Sequence, residues 1–171
     1  MSSFSIDGSQ QDWVIFSRTI PGSKPILIRS RTSNQELRAY ADANLMTRLR
    51  CVLPADQQSD VGMPKSTEEL DTFEDDFIRG LTERNAQTYL LAVVTGEGNR
   101  DFFFTSPDGS EIRQVVKDIP YNPSFQLQFA NVEAKELFLD RLTVPPEALQ
   151  RAKSQAAKGG GFFSKIFGGG H

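Results

Sequence analysis

The sequence predicts an α+β fold, and three observations lead to this prediction. Apolar and polar residues alternate over 45–53 and 124–130, as in strands that bury one face. The run 89–95 (YLLAVVT) is apolar throughout, which is typical of a central strand covered on both faces. Residues 66–84 and 110–119 carry apolar side chains at the spacing of amphipathic helices. Strands and helices therefore alternate along the chain.

The first predicted element is an N-terminal β-hairpin. Residues 12–18 and 25–31 are rich in strand-forming side chains. The loop between them contains Pro21-Gly22, which is a turn signal.

The strand over 45–53 is predicted to have one apolar and one polar face. Its inward positions are Leu45, Leu49, Cys51 and Leu53, and its outward positions are Arg48 and Arg50. Cys51 is therefore expected to point into the core.

The helix over 66–84 is predicted from both its start and its apolar stripe. Ser66 and Glu69 have the spacing of a capping box, and acidic residues follow in the first turn. The stripe consists of Leu70, Phe73, Phe77, Ile78 and Leu81. The helix should end near Asn85.

From residue 45 onward the predicted order is strand, helix, strand, strand, helix, strand. This is the order of a ferredoxin-like split βαβ sandwich. Its sheet would carry helices on one face, with the other face open or covered by a second element. Helices over 133–142 and 146–158 follow, the last one opened by Pro146 at its first position.

The chain divides into three predicted parts. Residues 1–144 form an α+β domain, 145–158 a C-terminal helix, and 159–171 a flexible glycine-rich tail. Two glycine triplets of this tail flank an apolar hexapeptide. On a helical wheel one face of the hexapeptide carries Phe162, Phe163, Ile166 and Phe167. The tail is expected to dock on a protein groove or a membrane, or to pack on its own domain.

Composition restricts the class of protein. The chain has 171 residues, 38% of them hydrophobic, and a net charge of −3, which argues against a dedicated nucleic-acid binder. It has no apolar run long enough to span a membrane and no signal-peptide pattern at its start. The single cysteine, Cys51, agrees with a reducing cytoplasm.

The charge is unevenly distributed. Residues 54–83 carry a net charge of −7, whereas 1–53 and 141–171 carry +3 and +4. An acidic segment thus lies between two basic ones. It is either an ordinary solvated helix face or a patch for a basic partner, with Glu68, Asp71 and Asp75 as its candidate binding residues.

Catalytic chemistry has little support in the sequence. The only histidine, His171, is the last residue and follows three glycines, and Cys51 has no histidine partner. Asp71 and Asp75 share a helix face, but a metal site there is weakly supported because the face is turned to solvent. No cofactor, metal or catalytic residue is assigned.

The segment 95–100 (TGEGNR) resembles a phosphate loop only superficially. It lacks the lysine and hydroxyl residue of that motif and joins two strands, so a hairpin turn is the better interpretation. Arg100 could still meet an acidic group on a partner. Phe102, Phe103 and Phe104 are assigned to core packing rather than RNA stacking, because no adjoining basic run or RNA-recognition motif exists.

Three motifs carry a family resemblance over residues 10–142. They are Asp12-Trp13, Gly62-Met63-Pro64, and the strand, turn and aromatic strand from Thr95 to Phe104. With these motifs the chain resembles the bacterial domain-of-unknown-function 695 family. That family is similar to the regulator of ribonuclease E activity, type B, an acidic cytoplasmic protein that inhibits an RNA-degrading enzyme by binding it. The resemblance implies a ferredoxin-like fold and action by binding, without catalytic residues.

The sequence thus favours a non-enzymatic, cytoplasmic binding or regulatory protein. Its expected contacts are the acidic helix 66–84 and the apolar tail 162–167, on an unidentified protein partner of basic character. The alternative is a peripheral membrane protein whose tail binds weakly to anionic lipid. A third hypothesis is a small-ligand-binding protein or a carboxylate-based enzyme. A ligand pocket in the sheet would favour this hypothesis.

Overall fold

The computed structural model describes residues 4–9 and 12–158. Within these ranges the chain forms six strands and five α-helices. In chain order they are β1 (Val14–Arg18), β2 (Ile26–Ser30), α1 (Gln35–Ala43), β3 (Leu45–Val52), α2 (Glu68–Glu83), β4 (Tyr89–Gly96), β5 (Asn99–Ser106), α3 (Ser110–Asp118), β6 (Gln126–Asn131), α4 (Lys135–Leu142) and α5 (Pro146–Ala157). The predicted α+β fold is confirmed.

All six strands belong to one antiparallel sheet. Its strand order is β1-β2-β4-β5-β3-β6. The predicted N-terminal hairpin is present, because β1 pairs with β2 in the register Val14 to Ser30. A turn with Gly22 at φ +82° joins the two strands, and Ser23 N donates to Ile20 O at 2.9 Å. The all-apolar run forms β4, which is paired on both sides.

Helices cover both faces of the sheet. One core lies between the sheet and α2 with α3, and contains Leu49, Phe73, Phe77, Phe102, Phe104 and Ile112. The other lies between the sheet and α1, α4 and α5, and contains Phe16, Leu37, Met46, Phe103, Leu139 and Ala148. Alternate residues of β3 and β5 therefore enter different cores.

This second helix layer explains what the sequence missed. No helix was predicted over 35–43, yet α1 lies there, with Asn34 accepting a hydrogen bond from Leu37 N at its start. The face of β3 that carries Arg48 and Arg50 is consequently not turned to open solvent, since α4 lies over part of it. Leu45, predicted to be inward, is exposed because it stands at the first position of β3.

The predicted capping box does not form. The helix begins at Glu68, and the side chain of Thr67 makes no capping hydrogen bond. Glu69 instead accepts hydrogen bonds from the backbone N–H and the hydroxyl of Ser124, in the loop before β6. Its carboxylate therefore joins α2 to that loop.

A membrane-spanning segment is not among the described elements. None of the helices in 4–9 and 12–158 combines the length and apolar content that crossing a bilayer requires.

Candidate functional site

The acidic face of α2, defined by Glu68, Asp71 and Asp75, lies opposite its buried stripe. The three carboxylates follow at spacings of three and four residues, which places them on one side of the helix. Glu68 and Asp75 are exposed, and Asp71 is half-buried.

Asp71 and Arg100 are brought together by the packing of α2 on β5. Arg100 Nη1 donates to Asp71 Oδ1 at 2.8 Å, and its Nε donates to Thr95 Oγ1 at 3.2 Å. Arg100 is only 9% exposed, so its guanidinium is held against α2. Two of the predicted partner-binding residues thus form an ion pair within the chain.

Two of the three consecutive acids at 74–76 in α2 are also paired, and the third, Asp75, is not paired among the described residues. Glu74 forms an ion pair with Arg29, and Asp76 with Arg79. Asp76 Oδ2 further accepts from the hydroxyl of Tyr121 at 3.0 Å. Burial, with this hydrogen bond as the next cause, raises the pKa of Tyr121 to about 12.

Asp75 is the exception. Although Asp75 is exposed, some desolvation of its carboxyl, followed by the charges of Asp71 and Asp76, raises its pKa, and Arg29 and Arg79 oppose this effect. It has no ion pair of its own in the described part of the chain. Glu68 likewise forms no ion pair within 4–9 and 12–158, so among these residues the acidic face keeps two unpaired carboxylates.

The other predicted chemical groups lie in the cores or outside the described residues. Cys51 is fully buried, and burial raises the pKa of its thiol. Phe102, Phe103 and Phe104 are all buried on β5. Across 4–9 and 12–158, no three metal-ligating side chains come together. Phe162, Phe163, Ile166 and Phe167 lie outside the described residues.

The Asp12-Trp13 motif surrounds a buried arginine that sequence reasoning missed. Arg31 has no exposed surface, and its Nε lies 3.3 Å from Asp12 Oδ1. Its other nitrogens donate to the carbonyls of Ser5 and Ile6 at 2.7 and 3.0 Å. Burial lowers the pKa of Arg31, and Asp12 opposes this effect. The Trp13 ring lies 5.4 Å from the guanidinium, so the motif has a structural role.

The other two motifs contact each other. The β4–β5 turn, Glu97-Gly98, has φ of +52° and +78°, as in a tight hairpin turn. Gly98 N donates to Gly62 O at 2.8 Å. A Cβ on Gly62 would stand 3.0 Å from Glu97 Cα, so only glycine allows this approach. The segment 95–100 is thus a hairpin turn held by a loop.

A cleft on the α4 side of the sheet is the second candidate site. Its floor comes from β2, β4, β5 and β3, and its walls come from the β1–β2 loop and α4. The cavity has a volume of about 150 Å³. Charged side chains converge on it from separate elements: Lys24, Arg48, Arg50, Glu97, Asp101 and Arg141. The sequence signal was the pair Arg48 and Arg50 on one face of β3, but the β1–β2 loop and α4 that complete the cleft are brought there only by the fold.

Comparison with known proteins places the chain in a family. No curated protein and no solved structure matches it. The family of unknown function DUF695 matches residues 11–136, which is well over half of the chain and includes all three motifs. The chain belongs to the family of unknown function DUF695.

Proposed function

We propose that the protein is a non-enzymatic, regulatory binding protein of the bacterial cytoplasm, and that the acidic face of α2 contacts a basic protein partner. The observation that carries this proposal is the row Glu68, Asp71 and Asp75, in which only Asp71 has an ion-pair partner among the residues that the structure describes. Like charges at this spacing destabilise a helix. A cationic partner would neutralise them and recover that free energy.

Long-range electrostatics supports the same surface. The loop before α2 adds the exposed carboxylates of Asp56 and Asp60. A surface of one charge sign accelerates encounter with an oppositely charged partner more than it raises affinity. The association rate is therefore the quantity that should report on this face.

The proposal includes a ferredoxin-like unit formed by β3 to β6. Its support is the strand order β4-β5-β3-β6, with α2 between β3 and β4 and α3 between β5 and β6. We also propose that the protein acts in the same way as the regulator of ribonuclease E activity, type B, which acts by binding an enzyme. The partner of this chain would be a basic protein.

The test is a double charge reversal, Glu68→Lys with Asp75→Lys. It leaves the pair of Asp71 and Arg100 intact, so the fold is not challenged at that point. Partners are first captured with the full chain and identified by mass spectrometry, and their association rates are then measured at several salt concentrations. The variant should associate more slowly, with a flatter salt dependence.

The matched control is Glu133→Lys with Asp140→Lys, which makes the same charge change at exposed positions away from α2. It should behave like the original chain. If both variants recover the same partners at the same rates, the acidic face of α2 is not the binding surface.

A second candidate, peripheral membrane binding, is supported by the C-terminal helix. Arg151, Lys153 and Lys158 are exposed directly before the apolar tail. Four apolar side chains yield about 6–12 kcal/mol on burial, and ordering the hexapeptide offsets most of it, so binding should be weak. Flotation with anionic vesicles tests this: the full chain should float, and a chain that ends at Lys158 should not. Equal flotation of both contradicts the proposal.

A further inference from the structure

The cleft over the sheet combines an apolar floor with charged sides. Ile28, Val94 and Phe103 of three neighbouring strands form the floor, and Phe138 of α4 adds an aromatic side. An apolar floor with a few convergent polar groups is the usual composition of a small-ligand site. None of these residues belongs to the acidic face of α2.

One charged pair in the cleft is complete by itself. Arg50 Nε and Nη2 donate to the two carboxylate oxygens of Asp101, both at 2.7 Å. Asp101 is only 7% exposed, and its hydrogen bond is the main cause that raises the pKa of Arg50. This bidentate pair is neutral and fixed, so it shapes the cleft and leaves no charge for a ligand.

Arg48, by contrast, has no counter-ion in the part of the chain that the structure describes. It lies two residues before Arg50 on the same face of β3, directly opposite Phe103 of β5. Its Nε is buried and makes no hydrogen bond within 4–9 and 12–158, and it forms no ion pair there. A partly buried, unpaired guanidinium costs stability. The charge and the Nε donor of Arg48 are therefore left without a partner among the described residues.

Two further cations stand at the edge of the cleft. Arg141 lies at the end of α4, 5.8 Å from the Phe138 ring, and Lys24 comes from the β1–β2 loop. The pair of Arg50 and Asp101 is neutral, and Glu97 on the β4–β5 turn contributes one negative charge. The positive charges of Lys24, Arg48 and Arg141 outnumber it, so the cleft has an excess of positive charge. The whole chain is negative, with a net charge of −3. The cleft is thus a local cationic site in an acidic protein.

We propose that this cleft binds a small organic anion, with its oxyanion on Arg48 and Arg141 and its apolar body on Ile28, Val94 and Phe103. The fork of a guanidinium fits a carboxylate or a phosphate, which share this oxyanion chemistry. The volume of about 150 Å³ lies below that of pockets for drug-sized ligands, so the ligand is a fragment-sized acid.

Three probes that share a phenyl ring test the proposal on the full, ¹⁵N-labelled chain: benzoate, its neutral isostere benzamide, and phenyl phosphate. Benzoate or phenyl phosphate should cause saturable amide shifts at residues 48–50 and 101–103, with affinity in the millimolar range expected of a fragment. Benzamide should bind about tenfold more weakly or worse, because it lacks the charge. Preference for benzoate assigns the anion to a carboxylic acid, and preference for phenyl phosphate to a phosphate monoester.

The decisive variant is Arg48→Met, with Arg151→Met as its control. Arg151 is an exposed arginine of α5, so its loss changes net charge equally. Arg48→Met should weaken anion binding about tenfold or more and raise the melting temperature, whereas the control should do neither. A structural arginine would instead lower the melting temperature on replacement.

Three results would overturn the proposal. They are shifts from the anionic probes that lie outside the cleft, equal binding by Arg48→Met and the original chain, and no saturable shifts with either anion. Because none of these readouts involves α2, failure here is separate from failure of the proposed protein contact.

Discussion

Asp75 carries an electrostatic penalty that depends on pH. Desolvation of its carboxyl and the charges of Asp71 and Asp76 raise its pKa above the ordinary value of 3.8. The folded state therefore holds this proton more tightly than the unfolded state. Between the two pKa values, the free energy of unfolding falls as pH rises, because the folded chain binds more protons there than the unfolded chain. The charge that forms when Asp75 loses its proton is less favourable in the folded chain. The penalty is full above the raised pKa and absent below the ordinary one.

Replacement of Asp75 by asparagine should therefore raise the free energy of unfolding at neutral pH. The gain should shrink as pH falls and vanish well below 3.8, where both residues are neutral. Urea unfolding of the two chains across a pH series measures this difference. A loss of stability at neutral pH, or a difference that does not change with pH, would contradict the assignment.

Single residues show what the sequence could and could not predict. The inward position of Cys51 followed from alternation along one strand and is confirmed. The surroundings of Arg100 did not follow, because its ion pair with Asp71 depends on how α2 packs across β5. The binding roles of Glu68, Asp71, Asp75 and Arg100 stay predictions, since no partner has been identified.

At the scale of elements, hydrophobic periodicity located the strands and the helices with wide apolar stripes. Helix α1 was missed because only Leu37 and Ala41 of its nine residues are buried, which gives a weak periodic signal. Its one strong signal was Asn34, a favourable N-cap residue. The predicted capping box at the start of α2 was wrong because Glu69 accepts hydrogen bonds from Ser124, a tertiary partner that local spacing cannot reveal.

The contact between the 58–64 loop and the β4–β5 turn yields a prediction at this scale. Gly62 and Gly22 both have left-handed φ values, +76° and +82°. A Cβ would meet the backbone of Glu97 at 3.0 Å from Gly62, but nothing within 4 Å from Gly22. Gly22→Ala should therefore cost only the conformational energy, about 1 kcal/mol. Gly62→Ala should cost about 2–4 kcal/mol, because overpacking is added.

Chemical denaturation of the two variants measures this difference, and each serves as the control for the other. Hydrogen exchange should also accelerate at Gly98 N in Gly62→Ala, since that amide donates to Gly62 O. Equal losses of stability in Gly62→Ala and Gly22→Ala would show that the 58–64 loop moves to accommodate the Cβ, and that its contact with Glu97 is not closely packed.

At the scale of the molecule, the segment 4–9 links the two cores. Ile6 packs against both of them, and the Phe4 ring meets Tyr89 edge-on at 4.6 Å between centroids. The same segment supplies two of the acceptors for the buried guanidinium of Arg31. The sequence did not suggest this link, because neither the short segment nor Arg31 has a recognisable periodic pattern. A charged side chain in the interior thus depends on the segment 4–9 for two of its hydrogen-bond acceptors.

This dependence predicts thermodynamic coupling between the segment and Arg31. Deletion of residues 1–9 should destabilise the chain by about 3–5 kcal/mol or more, from the lost Phe4 side chain and the stranded guanidinium. In an Arg31→Met background the same deletion should cost about 1–3 kcal/mol less, because no buried charge is left without acceptors. Arg38→Met is the control, since Arg38 contacts Asp42 and Thr143 rather than the segment. Its effect should add to that of the deletion within about 0.5 kcal/mol. Equal deletion costs in all three backgrounds would mean that solvent, rather than the segment, satisfies Arg31, and that the two cores are joined by apolar packing alone.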